Sequence, residues 1–272
     1  MLAASLKERL RNKQIAVGPT ITNHAWPGYI EVFKKAGMHF AMLDLEHGSP
    51  SLPLVEEICR VARLIDFPIL IRPEASIYHL IRKYVDMGPS GFIIPWTERP
   101  EQLEALRDGV FTPPRGRRGP GGPSIGHNLR IDRAGWDELE REFCLVAQIE
   151  SPKGIEALPG LVDHDWLDAT MLGPYDLALN MGLCWEPDDP RLIAAIQTVF
   201  DRSAEVGKPC GTVALNRESA QRWIDRGFRF FIYGEPIGMI ARESRRIVDE
   251  LTELAGENKP TDQRSGFKNA YG

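Results

Sequence analysis

Residues 68–96 read PILIRPEASIYHLIRKYVDMGPSGFIIPW. The stretch opens on a short apolar run, 68–73, in which polar and apolar residues do not alternate. Leu80, Ile81, Tyr84 and Val85 then fall at helical spacing, Gly88 stands where a helix should stop, and a second apolar run covers 91–96. A continuous apolar run suits a strand buried on both faces, as in parallel sheets. The amphipathic stretch between the runs suits a helix packed against such a sheet.

The same unit recurs along the chain. Apolar runs lie at 15–21, 40–45, 68–73, 91–96, 144–150, 169–174, 210–215 and 228–234, eight in all. Helical spacing returns at Tyr29, Val32, Phe33 and Ala36, at Leu54, Ile58, Val61, Ala62 and Ile65, and at Leu192, Ala195, Ile196 and Val199. Gly37, Gly88, Gly207 and Gly227 each precede a strand, at a helix C-cap. Eight strand–helix units predict an α/β fold, a TIM (β/α)8 barrel. A doubly wound sheet is the alternative, but its nucleotide fingerprint is missing. The nearest match, Gly119-Pro-Gly121-Gly122-Pro123, follows a helix and a Pro/Arg stretch instead of a strand. Residues 112–137 break the rhythm with ten Pro and Gly and read as a functional or disordered loop. Residues 1–255 are expected to form one barrel, with 256–272 a polar tail that frays or docks on a partner.

Composition narrows the function. The chain has 272 residues, 43% hydrophobic and 26% charged, which excludes a disordered chain. The longest apolar runs are far short of the ~20 residues that span a membrane. The net charge of −5 pulls toward neither nucleic acid nor anionic lipid. Cys59, Cys144, Cys184 and Cys210 are scattered without a CxxC, which predicts reduced thiols in a cytoplasmic protein. The first 13 residues are charged with no apolar core, so no signal peptide is expected there.

In a barrel of this kind the chemistry lies at the C-terminal ends of the strands. The second run leads into Asp44-Leu45-Glu46-His47-Gly48, the third ends at Arg72-Pro73, the fourth at Pro95-Trp96, the fifth at Gln148-Ile149-Glu150, and the sixth at Gly173-Pro174-Tyr175-Asp176. Burying such groups unpaired is costly, so their collection at one rim points to function. Glu150 and Asp176, on adjacent strands, are the candidate metal pair, a donor set suited to Mg²⁺ or Mn²⁺. Either alone could cap a helix or pair with a surface arginine; their adjacency favours the metal. His47 is the candidate general base, because an imidazole titrates near neutrality. Asp44 is placed to orient it. The other histidines read as structural, His24 least firmly, since it follows the first strand. Arg72 is a candidate anion clamp, with a salt bridge to Glu46 or Glu74 as the competing role. None of the nine lysines lies in a strand run, which argues against Schiff-base chemistry.

In this order and spacing, the four rim segments from Asp44 to Asp176 that carry Glu46-His47, Arg72, Gln148-Ile149-Glu150 and Tyr175 resemble the HpcH/HpaI family of class II pyruvate aldolases. The resemblance covers roughly residues 15–241. It implies a barrel of the phosphoenolpyruvate/pyruvate-domain type whose last helix is exchanged with a neighbouring subunit, giving a dimer and commonly a hexamer. It implies that Glu150 and Asp176 hold Mg²⁺, Mn²⁺ or a similar ion such as Co²⁺ or Zn²⁺. Arg72 would stabilise the pyruvate enolate, His47 would act in proton transfer, and Asp44 with Asp86 would tune that histidine. Gln148 and the segment Gly173, Pro174, Tyr175 and Asp176 would contact substrate. The implied reaction is reversible cleavage of a 4-hydroxy-2-oxo acid to pyruvate and an aldehyde, with small-molecule partners only.

Three departures from the family pattern bear on the acceptor side. Pro120 to Asn128 replace the usual small residues and arginine after Arg117-Arg118-Gly119; Gly234-Glu235-Pro236 replaces Gly-x-Asp; and Tyr175 stands where a small residue is common. An oxaloacetate decarboxylase of the same fold and a non-catalytic ligand-binding barrel are the competing functions.

Overall fold

A computed structural model describes residues 3–119, 132–184 and 186–257. Its sheet contains β1 (Ala16–Gly18), β2 (Thr20–Ile21), β3 (Ala41–Asp44), β4 (Ile69–Arg72), β5 (Gly91–Ile94), β6 (Cys144–Ile149), β7 (Ala169–Leu172), β8 (Cys210–Ala214) and β9 (Phe230–Tyr233). Every pairing is parallel, in the order β1-β9-β8-β7-β6-β5-β4-β3-β2. The run at 15–21, expected as one strand, is two. Pro19 has no N–H to give and divides it. Its carbonyl still accepts from Met42 N–H at 2.9 Å, and Thr20 N–H reaches the Gly234 carbonyl at 3.0 Å. The bent first stave therefore touches both neighbours, and the nine strands form a TIM-type barrel of eight staves.

The helices are α1 (Ala4–Arg11), α2 (Gly28–Lys35), α3 (Leu52–Leu64), α4 (Tyr78–Met87), α5 (Pro100–Val110), α6 (Arg133–Arg141), α7 (Pro152–Val162), α8 (Pro174–Asn180), α9 (Pro190–Glu205), α10 (Arg217–Asp225) and α11 (Pro236–Leu254). The four glycines expected at helix ends all take positive φ, where a Cβ would be strained.

Side chains sort by strand alternation. Phe40, Met42, Leu70, Ile93, Val146, Met171 and Phe230 point inward as one buried cluster; Ile69, Ile71, Phe92, Ile94, Leu145 and Ala147 pack outward on the helices. Ala3, Leu6 and Leu10 of the α1 segment join the inner cluster, all buried. So α1 plugs the N-terminal end of the barrel, and its i, i+3, i+7 spacing was the overlooked signal in a charged segment. At the other end of the chain α11 buries only Pro236 and Gly238. Its Ile237, Ile240, Ile247, Val248, Leu251 and Leu254 are exposed.

Among the described residues no helix is long and apolar enough to cross a membrane. Cys59, Cys144 and Cys210 are buried free thiols, and Cys184 is an exposed one. The altered loop at 120–128 and the tail beyond 257 lie outside the described residues.

Candidate active site

β3 and β4 end side by side, with Asp44 and Arg72 opposite one another in the ladder. Arg72 Nε donates to Asp44 Oδ1 at 2.8 Å and Nη2 donates to Oδ2 at 2.7 Å. Asp44 also accepts from Thr22 Oγ1 at 3.0 Å and from the backbone N–H groups of Glu46 and His47 at 3.2 and 3.4 Å. Burial pushes the Asp44 carboxyl up, but the Arg72 bonds and charge, helped by Thr22 and the His47 N–H, hold it below the usual range. Asp44 is therefore a fixed carboxylate whose partner is Arg72; towards His47 it reaches the backbone and not the ring. The imidazole instead lies 4.0 Å from Glu46 Oε2, with its side chain 60% exposed at the cavity. Glu46 also stands 3.3 Å from Arg72 Nε. Of the two salt bridges foreseen for Arg72, the one to Glu46 forms. Glu74 accepts instead from Tyr84.

Asp86 does not join this cluster. It lies in the last turn of α4, which leads to the N-terminal end of β5, and faces Arg118 Nη2 at 3.4 Å. His47 follows the C-terminal end of β3, so the barrel's own length separates the two within one chain.

β6 delivers Gln148 and Glu150. Glu150 is buried, its Oε1 accepting from Trp96 N–H and its Oε2 from Gln148 Nε2, both at 2.7 Å. Trp96 takes a φ of 48° in making that turn, a conformation non-glycine residues enter at some cost. Burial, with the charges of Glu46 and Asp176 adding to it, pushes the Glu150 carboxyl up to about 7, against the Trp96 N–H and Arg72. Asp176 sits in the first turn of α8, directly after β7. Asn180 ties this turn to β6, donating to the Asp176 carbonyl at 2.8 Å and the Glu150 carbonyl at 3.5 Å. Gly173 permits the approach: a Cβ there would lie 2.2 Å from Glu150 Oε2 and 3.0 Å from Gln148 Nε2.

These groups surround a cavity of about 340 Å³. Arg72, Asp44, His47, Gln148, Tyr175 and Asp176 face it, with Glu150 just behind Gln148 and Gly173. Three carboxylates, Glu46, Glu150 and Asp176, act on one another there, and the charge of Arg72 acts against two of them, Glu46 and Glu150. Gln148 Oε1 is buried without a hydrogen-bond partner. Each Glu150 oxygen accepts one hydrogen bond and retains a lone pair. The residues thus fit a hard cation. Among the described residues no group of three or more His, Cys, Asp and Glu is placed to hold a metal ion by itself. Two carboxylates with an open side match an ion that completes its shell with water and substrate oxygens.

The first and last staves supply further lining: Thr20, Thr22 and Asn23 at one side, and at the other Glu235, from the departure at 234–236 noted above, with Arg242. Thr20 and Thr22 alternate toward the cavity at the end of an apolar run, which was the available signal. Arg242 lies on α11 and carried none.

The model of the HpcH/HpaI aldolase/citrate lyase family matches residues 22–242. The pyruvate aldolase of Rhizobium etli is 29% identical over 80% of this chain and 85% of its own length. A hydroxypyruvate/pyruvate aldolase of Pseudomonas aeruginosa is 28% identical over 93% of this chain and 92% of its own. The crystal structure of an HpcH/HpaI aldolase from Desulfitobacterium hafniense superposes with a TM-score of 0.83 at 22% identity, covering 93% of this chain and 98% of the other. The matched span runs from the end of the first stave into α11 and contains every rim residue described above except Thr20, so the chain belongs to the HpcH/HpaI aldolase/citrate lyase family and is a lyase.

Proposed function

We propose that this lyase is a divalent-metal-dependent aldolase that reversibly cleaves a 4-hydroxy-2-oxo acid into pyruvate and an aldehyde. The observation that carries the reading is the buried Glu150 carboxylate, cradled against Gly173 just behind the wall of the cavity that Asp176 and Arg72 line. Glu150 and Asp176 would hold the ion, Mg²⁺ or Mn²⁺, with Co²⁺ or Zn²⁺ also compatible with the donors. When bound, such an ion supplies Lewis-acid stabilisation of negative charge on a keto oxygen.

In cleavage, the C4 hydroxyl loses its proton and the C3–C4 bond breaks. Its electron pair moves toward C2, leaving an aldehyde and the enolate of pyruvate; C3 then takes a proton to become the methyl group. Arg72 spends Nε and Nη2 on Asp44, which leaves Nη1 to meet the charge that develops on the enolate oxygen. Because Asp44 fixes the guanidinium, that donor needs no reorganisation as the charge forms. His47, at the cavity mouth with Glu46 beside it, is placed to move the proton between the hydroxyl and solvent. The Gln148 amide and the turn through Gly173, Pro174 and Tyr175 would orient the oxo acid.

The experiment is direct. Purified protein with Mn²⁺ or Mg²⁺ is expected to release pyruvate from a 4-hydroxy-2-oxo acid, and a chelator is expected to stop it. Full turnover in excess chelator would refute the metal role. Decarboxylation of oxaloacetate without aldol exchange would select the competing enolate chemistry, and binding of metal and pyruvate without any turnover would leave a non-catalytic ligand-binding barrel.

The same reading makes the protein a cytoplasmic homo-oligomer, dimer-based and hexameric, with α11 exchanged between subunits. The exposed apolar side chains along α11 support it, since a long helix with such a face is stable when another chain covers it. A monomeric mass by light scattering would exclude it.

A further inference from the structure

The opposite end of the barrel holds a second cavity, of about 420 Å³. It opens where α1 ends and where the chain enters β8 and β9, that is, at the N-terminal mouth, a barrel's length from Arg72. Its charged lining is Arg11, Lys13, Lys208 and Arg229, and among the described residues no aspartate or glutamate lines it. Its walls include Phe200, Pro209 and Phe230.

Helix C-termini gather at this mouth, and cations are at home near them. That accounts for part of the set. Lys208 Nζ donates to the carbonyls of His164 and Leu167 at 2.8 and 2.7 Å. Arg229 Nη1 donates to those of Ile224 and Phe228 at 2.9 and 2.7 Å. These bonds hold both heads in place and leave one Lys208 donor and the Nε and Nη2 of Arg229 unspent. The side chains of Arg11 and Lys13 make no hydrogen bond or ion pair among the described residues, while the Lys13 backbone N–H donates to the Leu10 carbonyl, in a chain whose acids outnumber its bases by five. The acids that act on Lys208, Asp163, Asp165 and Asp168, lie outside the lining, and Asp168 is engaged by Lys7 at 2.9 Å. Lys13 holds a φ of 54°, which fixes it at the cavity edge after α1. Four like charges from three separate segments thus converge on an apolar-walled cavity of ordinary ligand size.

We propose that this mouth binds a small organic anion, a phosphate or carboxylate group carried on an apolar body, independently of the catalytic rim. The anion would take the free donors of Arg11, Lys13, Lys208 and Arg229, and its body would lie against Phe200 and Phe230. Because α1 supplies one wall and the turns before β8 and β9 the others, the ligand would fasten the plug helix to the barrel. Its first effect is on stability, since groups at this face of such barrels serve stability and those at the other face serve catalysis.

The test titrates phenyl phosphate, benzoate and inorganic phosphate into the full-length protein in about 0.15 M salt, read by thermal melting and calorimetry. Saturable binding by phenyl phosphate or benzoate is expected, tighter than inorganic phosphate, and whichever head group binds better names the source. The exposed pair Arg11→Gln/Lys13→Gln should weaken binding at least about tenfold, while Arg72→Ala leaves it unchanged. Absence of saturable binding, binding equal in the double variant, or binding lost in Arg72→Ala would each overturn the proposal.

Discussion

Asp44 and Arg72 are register partners at the ends of adjacent strands, and two parallel hydrogen bonds of 2.8 and 2.7 Å lock their side chains together. This fork cannot be rebuilt with lysine, which offers a point charge in place of a planar pair of donors. Arg72→Lys should keep the fold, lose about 1–3 kcal/mol of stability, and lower kcat by about 10² or more. Denaturant melts and steady-state rates check both numbers. A variant with wild-type kcat would remove Arg72 from the chemistry.

The same pair predicts an acid signature. The folded Asp44 carboxyl sits below its ordinary value of 3.8, so its contribution is complete above that pH and is lost as pH falls through the folded value. Asp44→Asn should be less stable than wild type by about 3–5 kcal/mol near neutrality, because a buried guanidinium loses its partner. The gap should close as the pH drops below 3.8. A gap independent of pH would mean that the cost comes from packing alone.

Glu150 carries the opposite sign. Its folded carboxyl titrates at about 7 against an ordinary 4.5, so ionisation costs stability that is absent below 4.5, grows between the two values and is constant above. The interval corresponds to about 3 kcal/mol. In metal-free protein Glu150→Gln should therefore melt higher than wild type at pH 8 and alike at pH 4. Adding Mn²⁺ should reverse the order at pH 8, since only wild type gains a bound cation. If the variant still responds to Mn²⁺ as wild type does, Glu150 is not a ligand.

The barrel was legible because buried parallel strands write themselves as continuous apolar runs, and the runs at 68–73 and 91–96 needed no tertiary information to be recognised. Pro19 was misread for the same reason: a proline inside an apolar run leaves the pattern intact but removes one ladder donor. The rim residues were legible because charged groups directly after such runs have no packing role. Their partnerships were not. Asp44 stands three residues from His47, yet strand register, which sequence spacing does not reveal, hands it to Arg72. Asp86 sat in the helical pattern of α4, whose direction carries it away from the rim. Arg242 came into the cavity through the path of α11, which no local pattern encodes.

Gly173 tests the cradle without touching a charge. A methyl group at this position would stand 2.2 Å from Glu150 Oε2, closer than real atoms approach, so the carboxylate must move. Gly173→Ala should fold with a loss of about 1–3 kcal/mol and bind Mn²⁺ at least about tenfold more weakly. Calorimetric titration with Mn²⁺ decides it. Unchanged affinity would show that the ion, if bound, does not depend on the place Glu150 occupies.

The plug helix separates stability from catalysis. Leu6 and Leu10 are buried in the barrel's inner cluster with Phe40 and Phe230, at the end remote from Asp44 and Arg72. Leu6→Ala leaves a cavity in that cluster and should cost about 2–5 kcal/mol, seen as a lower denaturation midpoint with an unchanged slope. Because the lost methyl groups lie a barrel's length from the rim, kcat and KM at temperatures well below melting should match wild type. A fall in kcat in step with stability would instead mean that the inner cluster, stacked from Leu6 up through Met42 to the rim, transmits its packing to Arg72.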